Sequence, residues 1–593
     1  MKTVVVCAAL AMVGCASSDP VHVGGTVHGL WNGADGVALH LVADHIDTLL
    51  TVPANGAFEF PPVLAQGASY AATIAGQPFE HTCVIVHGGN GVASSDGSLD
   101  VACTGPYVSI KLAGSDDSFF DASLDQQTLP GSPFVVASTV TIEAAPGITA
   151  QLDGVPAALG APIPRTLAVG ATSFSVSFSA PDGLSRTFQL GVDRGAAAMT
   201  QDAAIRTSDV AHRDLGTAIA IDGDTMVVSA PSSNITGEND TLSVVYVFVR
   251  RDGSWQIQTR LESPDGVFSD FGHAIALSGD TLAIGGSAVL YVYTRSNGVW
   301  GSPQRLTASS NNQLALLNGG VAISSDVVVI GSRFNTVAGL PYAGEAYVFR
   351  RVNDAWTQEA VLQAEKPSAQ QWFGTTVAIS GDTIAVASSS FDSLDPTPEP
   401  VTVFRWIDPH WAFEQSIPRP HVSGPNVSFG AALALSGDTL VIGAPGDRSV
   451  SVGINGDETI TRQDHIGAVH VYTRSYITWQ RQAYLKASTQ QTRAFGTSVS
   501  FSGDLLAVGA PYDSGAPTAT SSGDFALTGA AFLFGRAGTT WSQLAYQKRS
   551  VPIANTAFGL SVALSADSLV VGAPSQDGSA PADADTGALY EFR

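Results

Sequence analysis

Carboxylate side chains in two C-terminal loops are the groups of this sequence that could hold a metal ion. Calcium takes about six to eight oxygen ligands, so a site needs several acidic residues in one loop. The candidates are Asp457, Asp464, Asp583 and Asp585, and the same loops also contain Asp447, Glu458 and Asp577. Their spacing fits no calcium-loop template, so solvated loop charge is the favoured interpretation. We therefore expect no cofactor, with calcium as the possible exception.

Histidines are concentrated near the N-terminus and could also bind a metal ion. Six of the twelve lie within residues 21–104, at positions 22, 28, 40, 45, 81 and 87. Imidazole is a common metal ligand. No spacing recurs among these six residues, so we favour solvent-facing positions on strands and loops.

Catalytic and nucleic-acid-binding signatures are both missing from the sequence. It contains no HExxH, GxSxG or P-loop motif. Basic residues number 28 against 52 acidic residues, a net charge of −24. Because binding to a nucleic-acid backbone requires Lys and Arg to neutralise phosphates, we expect no nucleic acid partner.

The N-terminus has the pattern of an export signal. Lys2 precedes the apolar segment Thr3–Val13, which is too short to span a bilayer. The segment ends in Met-Val-Gly before Cys15 and resembles the lipobox of bacterial lipoproteins. This resemblance implies a signal peptide over residues 1–14, lipidation of Cys15 and a linker over residues 15–20. It places the chain at the outer membrane or cell surface, held by lipid alone; an ordinary secretory peptide is the alternative.

Two further cysteines, Cys83 and Cys103, remain after Cys7 and Cys15 are assigned to the N-terminal segment. A pair of cysteines in an exported protein predicts a disulfide. A metal or redox pair is the alternative, but no CxxC spacing supports it.

Short apolar runs separated by turns predict two small β domains before residue 196. In the first, over residues 21–104, Asn55-Gly56 predicts a hairpin between neighbouring strands. The order of its strands resembles transthyretin-like or carboxypeptidase-regulatory-like sandwiches. In the second, over residues 105–195, Asp182-Gly183 predicts a turn between the last two strands. Its ending, Val192-Asp193-Arg194, is similar to that of cadherin-like sandwiches, which act as spacers.

A block that recurs seven times occupies the rest of the chain. Its copies start at residues 215, 271, 317, 373, 429, 495 and 558. Each copy has a tight turn related to Ser-Gly-Asp-Thr, and Gly at the first central position suits a type II′ hairpin. Five copies have this Gly, and Ser325 and Ala566 replace it in the other two. The second central position is always aspartate, for which we predict a structural turn role: Asp224, Asp280, Asp326, Asp382, Asp438, Asp504 and Asp567. Four short strands per repeat are typical of a β-propeller blade.

The motifs Phe429-Gly430 and Gly443-Ala444-Pro445 resemble the FG-GAP repeat of the integrin α-chain propeller and its bacterial relatives. The resemblance implies an all-β fold, a seven-bladed β-propeller over residues 196–593 preceded by two small β-sandwich domains. The integrin repeat often has a calcium loop between its first two strands. Here that loop is shortened to the tight turn, so the calcium role is not carried over.

The last copy lacks its fourth strand. In the other copies, the fourth strand lies a similar distance before the start of the next copy. The segment Met199–Ile205 lies at this distance before the first copy. We therefore predict that this segment supplies the missing fourth strand and closes the ring. Closure removes exposed strand edges. Six copies have a Trp at one repeat position, namely residues 255, 300, 356, 411, 479 and 541. We favour packing over sugar stacking for these Trp residues.

Two interpretations of function compete, and both rest partly on fold analogy. The first is a surface-anchored, non-enzymatic binding or adhesion protein that contacts a protein or glycan. Its contact surface would be the longest loops, Gly446–Ile466 and Tyr512–Thr528. The alternative is a secreted glycan- or polymer-active enzyme with a carboxylate pair at the propeller mouth. A purely structural envelope component is a third possibility.

Overall fold

A computed structural model describes the chain from Val21 to Arg593, apart from a set of short ranges. The ranges left out are 31–35, 44, 78–80, 94–97, 105–107, 114–117, 120–125, 132, 135–136, 146, 181–184, 196–198, 203, 208–213, 232–242, 267–269, 287, 309–318, 389–399, 421–426, 463–464, 490, 516–526, 552 and 576–586. The predicted signal peptide and Cys15 therefore lie outside the described residues. The described residues form β-strands, turns and irregular segments, with no helix among them. Consequently none of them belongs to a helix long and apolar enough to cross a bilayer.

The chain divides into two compact units. One comprises the residues up to Gly131 together with Val135–Arg194, and the other comprises Ser132–Phe134 and Gly195–Arg593. The strands of the first unit are β1 (Val21–His28), β2 (Val37–Ala43), β3 (Ile46–Val52), β4 (Gly56–Leu64), β5 (Ser69–Gly76), β6 (Thr82–His87), β7 (Asn90–Val92), β8 (Ser98–Thr104), β9 (Val108–Ala113), β10 (Ser118–Phe119), β11 (Gln126–Gly131), β12 (Ala137–Ala144), β13 (Thr149–Leu152), β14 (Val155–Ala157), β15 (Ile163–Thr166), β16 (Gly170–Ser179) and β17 (Ser185–Arg194).

The first sandwich consists of sheets β4-β1-β8-β6 and β3-β2-β5-β7. Alternation along β2 buries Val37, Leu39 and Leu41 in the core between the sheets. A disulfide joins Cys83 on β6 to Cys103 on β8, and both cysteines belong to this core. The cross-link therefore ties two neighbouring strands whose register pairs the same two residues.

The predicted hairpin at Asn55-Gly56 is wrong. Strand β3 pairs with β2 and strand β4 pairs with β1, so the turn leads from one sheet to the other. The Asn55 side chain accepts a hydrogen bond from Leu30 N at 2.8 Å and donates one to Leu30 O at 2.9 Å. The Asn55 side chain therefore makes the two hydrogen bonds that a neighbouring strand would make, and so stabilises a connection between the two sheets. The Asn-Gly dipeptide alone does not distinguish such a connection from a hairpin.

The second sandwich consists of sheets β10-β9-β12-β15 and β11-β17-β16-β13-β14. Strands β16 and β17 are antiparallel over their full length, from Gly170 opposite Arg194 to Ser179 opposite Ser185. They form the hairpin that Asp182-Gly183 predicts, although the turn itself lies outside the described residues. Phe178 and Phe188 meet edge to face in the core of this sandwich.

The described residues of the second unit form seven consecutive antiparallel sheets, which we number sheet 1 to sheet 7. Their strands are β18 (Ile219–Asp222), β19 (Thr225–Ala230), β20 (Val244–Arg251) and β21 (Ser254–Glu262); β22 (Ile275–Ser278), β23 (Thr281–Gly285), β24 (Leu290–Ser296), β25 (Val299–Trp300) and β26 (Gln304–Leu306); β27 (Val321–Ser324), β28 (Val327–Ser332), β29 (Glu345–Val352) and β30 (Ala355–Leu362); β31 (Thr376–Ser380), β32 (Thr383–Ala387), β33 (Val401–Ile407) and β34 (His410–Ile417); β35 (Ala432–Ser436), β36 (Thr439–Ala444), β37 (Ala468–Ser475) and β38 (Thr478–Leu485); β39 (Ser498–Ser502), β40 (Leu505–Ala510), β41 (Ala530–Ala537) and β42 (Thr540–Gln547); and β43 (Val562–Leu564), β44 (Leu569–Ala573) and β45 (Ala588–Phe592). The second strand of each sheet is buried along its whole length, as expected for sheets packed on both faces.

The tight turns between the first two strands have the backbone that their glycines predict. In five sheets this glycine has φ between 52° and 61°, and Ser325 adopts φ 51° in sheet 3. The following aspartates do not have positive φ, so only the first central residue does, as a type II′ turn requires. Sheet 7 differs, because its hairpin has four residues between Leu564 and Leu569 and is closed by Ser565 N donating to Ser568 O.

The two glycines of the repeat motif contact each other between neighbouring sheets. Gly443 of sheet 5 faces Gly496 of sheet 6 so closely that a Cβ on Gly443 would overlap the Gly496 carbonyl oxygen. Gly509 faces Gly559 of sheet 7 in the same way, and Gly572 faces Gly216 of sheet 1. The motif therefore marks the places where adjacent sheets approach without room for a side chain.

We expect Gly443→Ala to destabilise the propeller by about 1–3 kcal/mol, because the new methyl group must displace packed backbone. The φ of Gly443 is not positive, so the effect is steric rather than conformational. Gly301→Ala is the matched control, since its Cβ would lie 3.5 Å from the nearest atom, Thr294 O. Urea unfolding measures both variants, and equal midpoints would contradict the steric explanation.

The ring-closing prediction is confirmed. Thr200 N donates to Arg593 O at 2.9 Å, and Ile205 N donates to Leu589 O at 2.9 Å, with the reverse bonds also present. The segment thus supplies an antiparallel neighbour for β45 at the outer edge of sheet 7. Arg250 of sheet 1 adds ion pairs to Asp567 and to the buried Glu591 of sheet 7. Sheets 1 and 7 are therefore joined by backbone and side chains.

Candidate functional site

The strand order gives the propeller two different ends. Because consecutive strands are antiparallel, the tight turns between strands one and two and between strands three and four share one end, the turn face. The longer connections between strands two and three, and between successive sheets, share the other end, the loop face. The repeat aspartates lie on the turn face, and the predicted contact loops lie on the loop face.

Ion pairs engage most of the repeat aspartates on the turn face. Five of them pair with an arginine that lies within the last three residues of a third strand: Asp280 with Arg295, Asp326 with Arg351, Asp382 with Arg405, Asp438 with Arg474, and Asp567 with Arg250 of sheet 1. Asp224 and Asp504 accept backbone hydrogen bonds from Arg250 and Arg536. These contacts belong to turn structure.

The repeated tryptophans join neighbouring sheets. Four of them donate from Nε1 to a Gln or Glu of the preceding sheet at 2.7–3.0 Å, namely Trp300 to Gln258, Trp411 to Glu359, Trp479 to Glu414 and Trp541 to Gln482. Five arginines stack on the Trp of their own sheet, for example Arg474 on Trp479 at 5.5 Å. Trp356, Trp411, Trp479 and Trp541 are buried. The tryptophans therefore pack sheets together, as we favoured from their regular spacing.

On the loop face, the loop of sheet 5 between Ala444 and Ala468 has its own hydrogen-bonded structure. Val450 N donates to Ile460 O at 3.0 Å, and Arg462 N donates to Arg448 O at 3.0 Å, which makes a small hairpin. A second segment adds to the outer edge of β38, where Lys486 N donates to Gly453 O at 2.8 Å. The described part of the loop is therefore held in one conformation by the sheet below it.

Asp447 anchors the base of this loop through an ion pair. Its carboxylate accepts from Lys486 Nζ at 3.0 Å and from the Tyr484 hydroxyl at 3.0 Å, and the side chains of Asp447 and Lys486 are fully buried. The Asp447 carbonyl accepts from Gly467 N, where the loop ends. The interpretation of Asp447 as solvated loop charge is therefore wrong, because the fourth strand supplies a buried cation for it.

Sheet 6 repeats the arrangement at the base of its loop. Asp513 pairs with Lys548 at 2.6 Å and accepts from the Tyr546 hydroxyl at 2.8 Å, and both charged side chains are buried. Sequence reasoning missed the two lysines. Their signal is the repeated Ala-Tyr-x-Lys that ends the fourth strands, at Ala483–Lys486 and Ala545–Lys548.

A buried histidine lies next to the Asp447 ion pair. His470 packs between the rings of Phe429 and Tyr484, at 5.4 Å and 5.1 Å. Neither ring nitrogen has a hydrogen-bond partner among the described residues. Burial lowers the pKa of His470 to about 3, with Asp447 opposing the shift. Five other sheets have Tyr or Phe at this register: Tyr246, Tyr291, Tyr347, Phe532 and Tyr590.

The predicted metal candidates do not assemble within the described residues. Asp457 accepts from the backbone and hydroxyl of Thr459 at 2.8 Å and 2.6 Å, and these bonds lower its pKa. Glu458 pairs with Arg481 at 2.6 Å. Asp464, Asp577, Asp583 and Asp585 lie outside the described residues. No group of three or more His, Cys, Asp or Glu residues able to hold a metal occurs in the part of the chain that the structure describes.

The N-terminal histidines mostly pair with single acids on the first sandwich. His40 contacts Asp47 at 2.6 Å, and His28 and His87 both contact Asp100, at 3.3 Å and 3.7 Å. His22 pairs with Glu59 across neighbouring strands. These are cross-strand pairs on partly exposed sheet faces. His81 is buried, so the expectation of a solvent-facing position is wrong for that residue.

The FG-GAP repeat family model matches residues 356–397, 479–534 and 550–592.

Two solved structures are similar in outline. The Neurospora crassa Pan2 WD40 domain is 12% identical, with 66% of this chain and 95% of that chain covered and a TM-score of 0.38. Kluyvelomyces marxianus Hsv2 is 10% identical, with 72% and 98% covered and a TM-score of 0.34. No curated protein matches. The matched segments and the sheet topology together support an FG-GAP β-propeller.

Proposed function

We propose that this chain is a non-enzymatic binding protein whose loop face contacts a protein or glycan at the cell surface. The observation that supports this proposal most directly is the order of the sheet 5 loop. This loop is held by its own hairpin and by the buried Asp447–Lys486 ion pair. A loop that is already ordered loses less conformational entropy when a partner binds. Val452 and Ile460 on this loop are 43% and 59% exposed, so they offer apolar contact area.

The proposal includes export and attachment through a lipid on Cys15. The apolar segment before this cysteine and its small neighbours Gly14 and Ala16 support it. Two or more acyl chains anchor a protein stably, because each buried CH₂ contributes about 0.8 kcal/mol. Mass spectrometry of the membrane-extracted chain would test this, and a mature chain without lipid on Cys15 would contradict it. The glycan- or polymer-active enzyme stays an alternative hypothesis.

Partner capture from envelope extract tests the binding role, with the lipid-free chain (residues 21–593) as bait. We expect Val452→Ser with Ile460→Ser to reduce capture at least about tenfold, because hot-spot contacts are few and concentrated. Tyr476→Ser with Ile477→Ser is the matched control, since these residues are 93% and 68% exposed on the turn face. Equal capture by both double variants and the unchanged chain would contradict a role for the sheet 5 loop.

A further inference from the structure

A cluster of one arginine and three aromatic residues lies on the loop face between sheets 3 and 4. The guanidinium of Arg333 stacks on Phe334 at 4.8 Å and lies 6.0 Å from the Trp372 ring. Phe334 in turn meets Tyr342 at 5.9 Å and Trp372 at 5.8 Å, both edge to face. Tyr342 is 49% exposed, and the other three are partly exposed. We call these four residues the arginine cluster.

Two members of the arginine cluster depart from the repeat. Arg333 replaces the Pro of Gly-Ala-Pro, which sheets 1, 5, 6 and 7 retain. Trp372 precedes the motif phenylalanine at a backbone position with φ 51°. The other sheets whose residue is described there also have positive φ, but with small or turn-forming side chains: Asp214, Asp270, Ser428, Ala494 and Ala557. A bulky residue in this conformation costs free energy, and such outliers are found at ligand-binding positions.

Among the residues that the structure describes, Arg333 has no acidic partner, although acids outnumber bases in this chain. Its guanidinium forms no ion pair or hydrogen bond with any described residue, and its Nε is buried without an acceptor among them. The nearby Glu345 is instead occupied by Asn335, Tyr347 and Gln363. The guanidinium is therefore held by aromatic rings and remains available to a carboxylate from outside.

We infer that the arginine cluster binds an acidic segment of a protein partner, with an Asp, Glu or C-terminal carboxylate on Arg333 and an apolar neighbour against Tyr342 and Trp372. Arg, Tyr and Trp are the residues that dominate protein interfaces energetically. The guanidinium of Arg333 covers one face of Phe334, and Phe334 meets both Tyr342 and Trp372 edge to face. The inference rests on the proposed binding function but uses residues outside the sheet 5 loop.

The test is selection of a displayed library of random twelve-residue peptides on residues 21–593. We expect the selected peptides to be enriched in Asp and Glu beside apolar residues. Their affinity, measured by fluorescence anisotropy, should fall at least about tenfold on Arg333→Met, which keeps the stacking volume but removes the charge. It should fall similarly on Trp372→Ser, while the melting temperature of that variant stays within about 3 °C, because Ser428 occupies the equivalent position in sheet 5.

Two controls separate this site from the rest of the loop face. Arg305→Met removes an exposed arginine that already pairs with Asp265 at 2.8 Å, and it should leave peptide affinity unchanged. Val452→Ser with Ile460→Ser should also leave peptide affinity unchanged. If this double variant does not reduce capture from envelope extract, the proposed role of the sheet 5 loop fails, but the peptide site at Arg333 is not affected. Selected peptides without acidic enrichment, peptides that bind Arg333→Met equally well, or sugar-dependent capture lost on Trp372→Ser would each overturn the inference.

Discussion

Asp447→Ala should destabilise the propeller by about 3–5 kcal/mol, because it leaves the fully buried ammonium of Lys486 without its carboxylate. The pKa of Lys486 is already lowered by burial, and Asp447 is the group that opposes this shift. Without Asp447, the lysine must lose its proton or draw water into the sheet. The Tyr484 hydroxyl and Ser449 N also lose their acceptor.

Urea unfolding followed by tryptophan fluorescence measures this loss, since eight of the nine tryptophans lie in residues 196–593. Asp457→Ala is the matched control, because Asp457 lies in the same loop but forms no buried ion pair. Adding Lys486→Met to Asp447→Ala should restore much of the stability, because removing both charges of a buried pair is often near neutral. A double variant no more stable than Asp447→Ala alone would show that the ion pair is not the cause.

His470→Phe should make the propeller more resistant to acid. The pKa of buried His470 is about 3, below the ordinary 6.5, so between these values the unfolded chain binds a proton that the folded chain does not. The contribution of His470 to stability is therefore fully present above about pH 6.5 and falls by about 1.4 kcal/mol per pH unit below it. At pH 4.5 the His470 contribution to this loss should reach about 2–3 kcal/mol.

The Phe variant lacks this proton uptake, and Phe532 shows that the same register in sheet 6 accommodates the ring. Neighbouring charges also affect the pKa of His470. Asp447 raises this pKa, whereas Arg481 and Lys486 lower it. Urea midpoints from pH 7.5 to pH 4 compare the two chains, with exposed His410→Phe as the control. A constant difference between the unchanged chain and His470→Phe across this range would contradict the prediction.

Much of the fold could be predicted from the spacing of the repeats, because each repeat forms one sheet from consecutive residues. Strands within a sheet follow one another in sequence, so tight turns such as Gly437-Asp438 and the alternation around them are visible without tertiary information. Ring closure by Met199–Ile205 could also be predicted, from the spacing of this segment before the first copy. A propeller that lacks an outer strand leaves an unpaired edge, which this segment covers. The two sandwiches were less predictable, because the Asn55-Gly56 turn can serve a hairpin or a crossing.

The candidate site was less accessible to sequence reasoning. Acidic loop residues look alike in sequence, yet Asp447 is buried against a lysine 39 positions later, while Asp457 is exposed. The arginine cluster likewise joins residues from the loop of sheet 3 and the connection to sheet 4. Neither Arg333 nor Trp372 has a sequence motif that marks it; only their departure from the repeat does.

By itself, the sequence determined the all-β architecture, the sheet-by-sheet repeat and the closing strand, because these depend on local periodicity. Tertiary structure decided which charges are buried, which acid meets which base, and which side chains of different sheets share a surface. The physical reason is that ion-pair energy and burial depend on distances across neighbouring sheets. Those distances are set by the close contacts of motif glycines, such as Gly443 with Gly496, and not by separation along the chain.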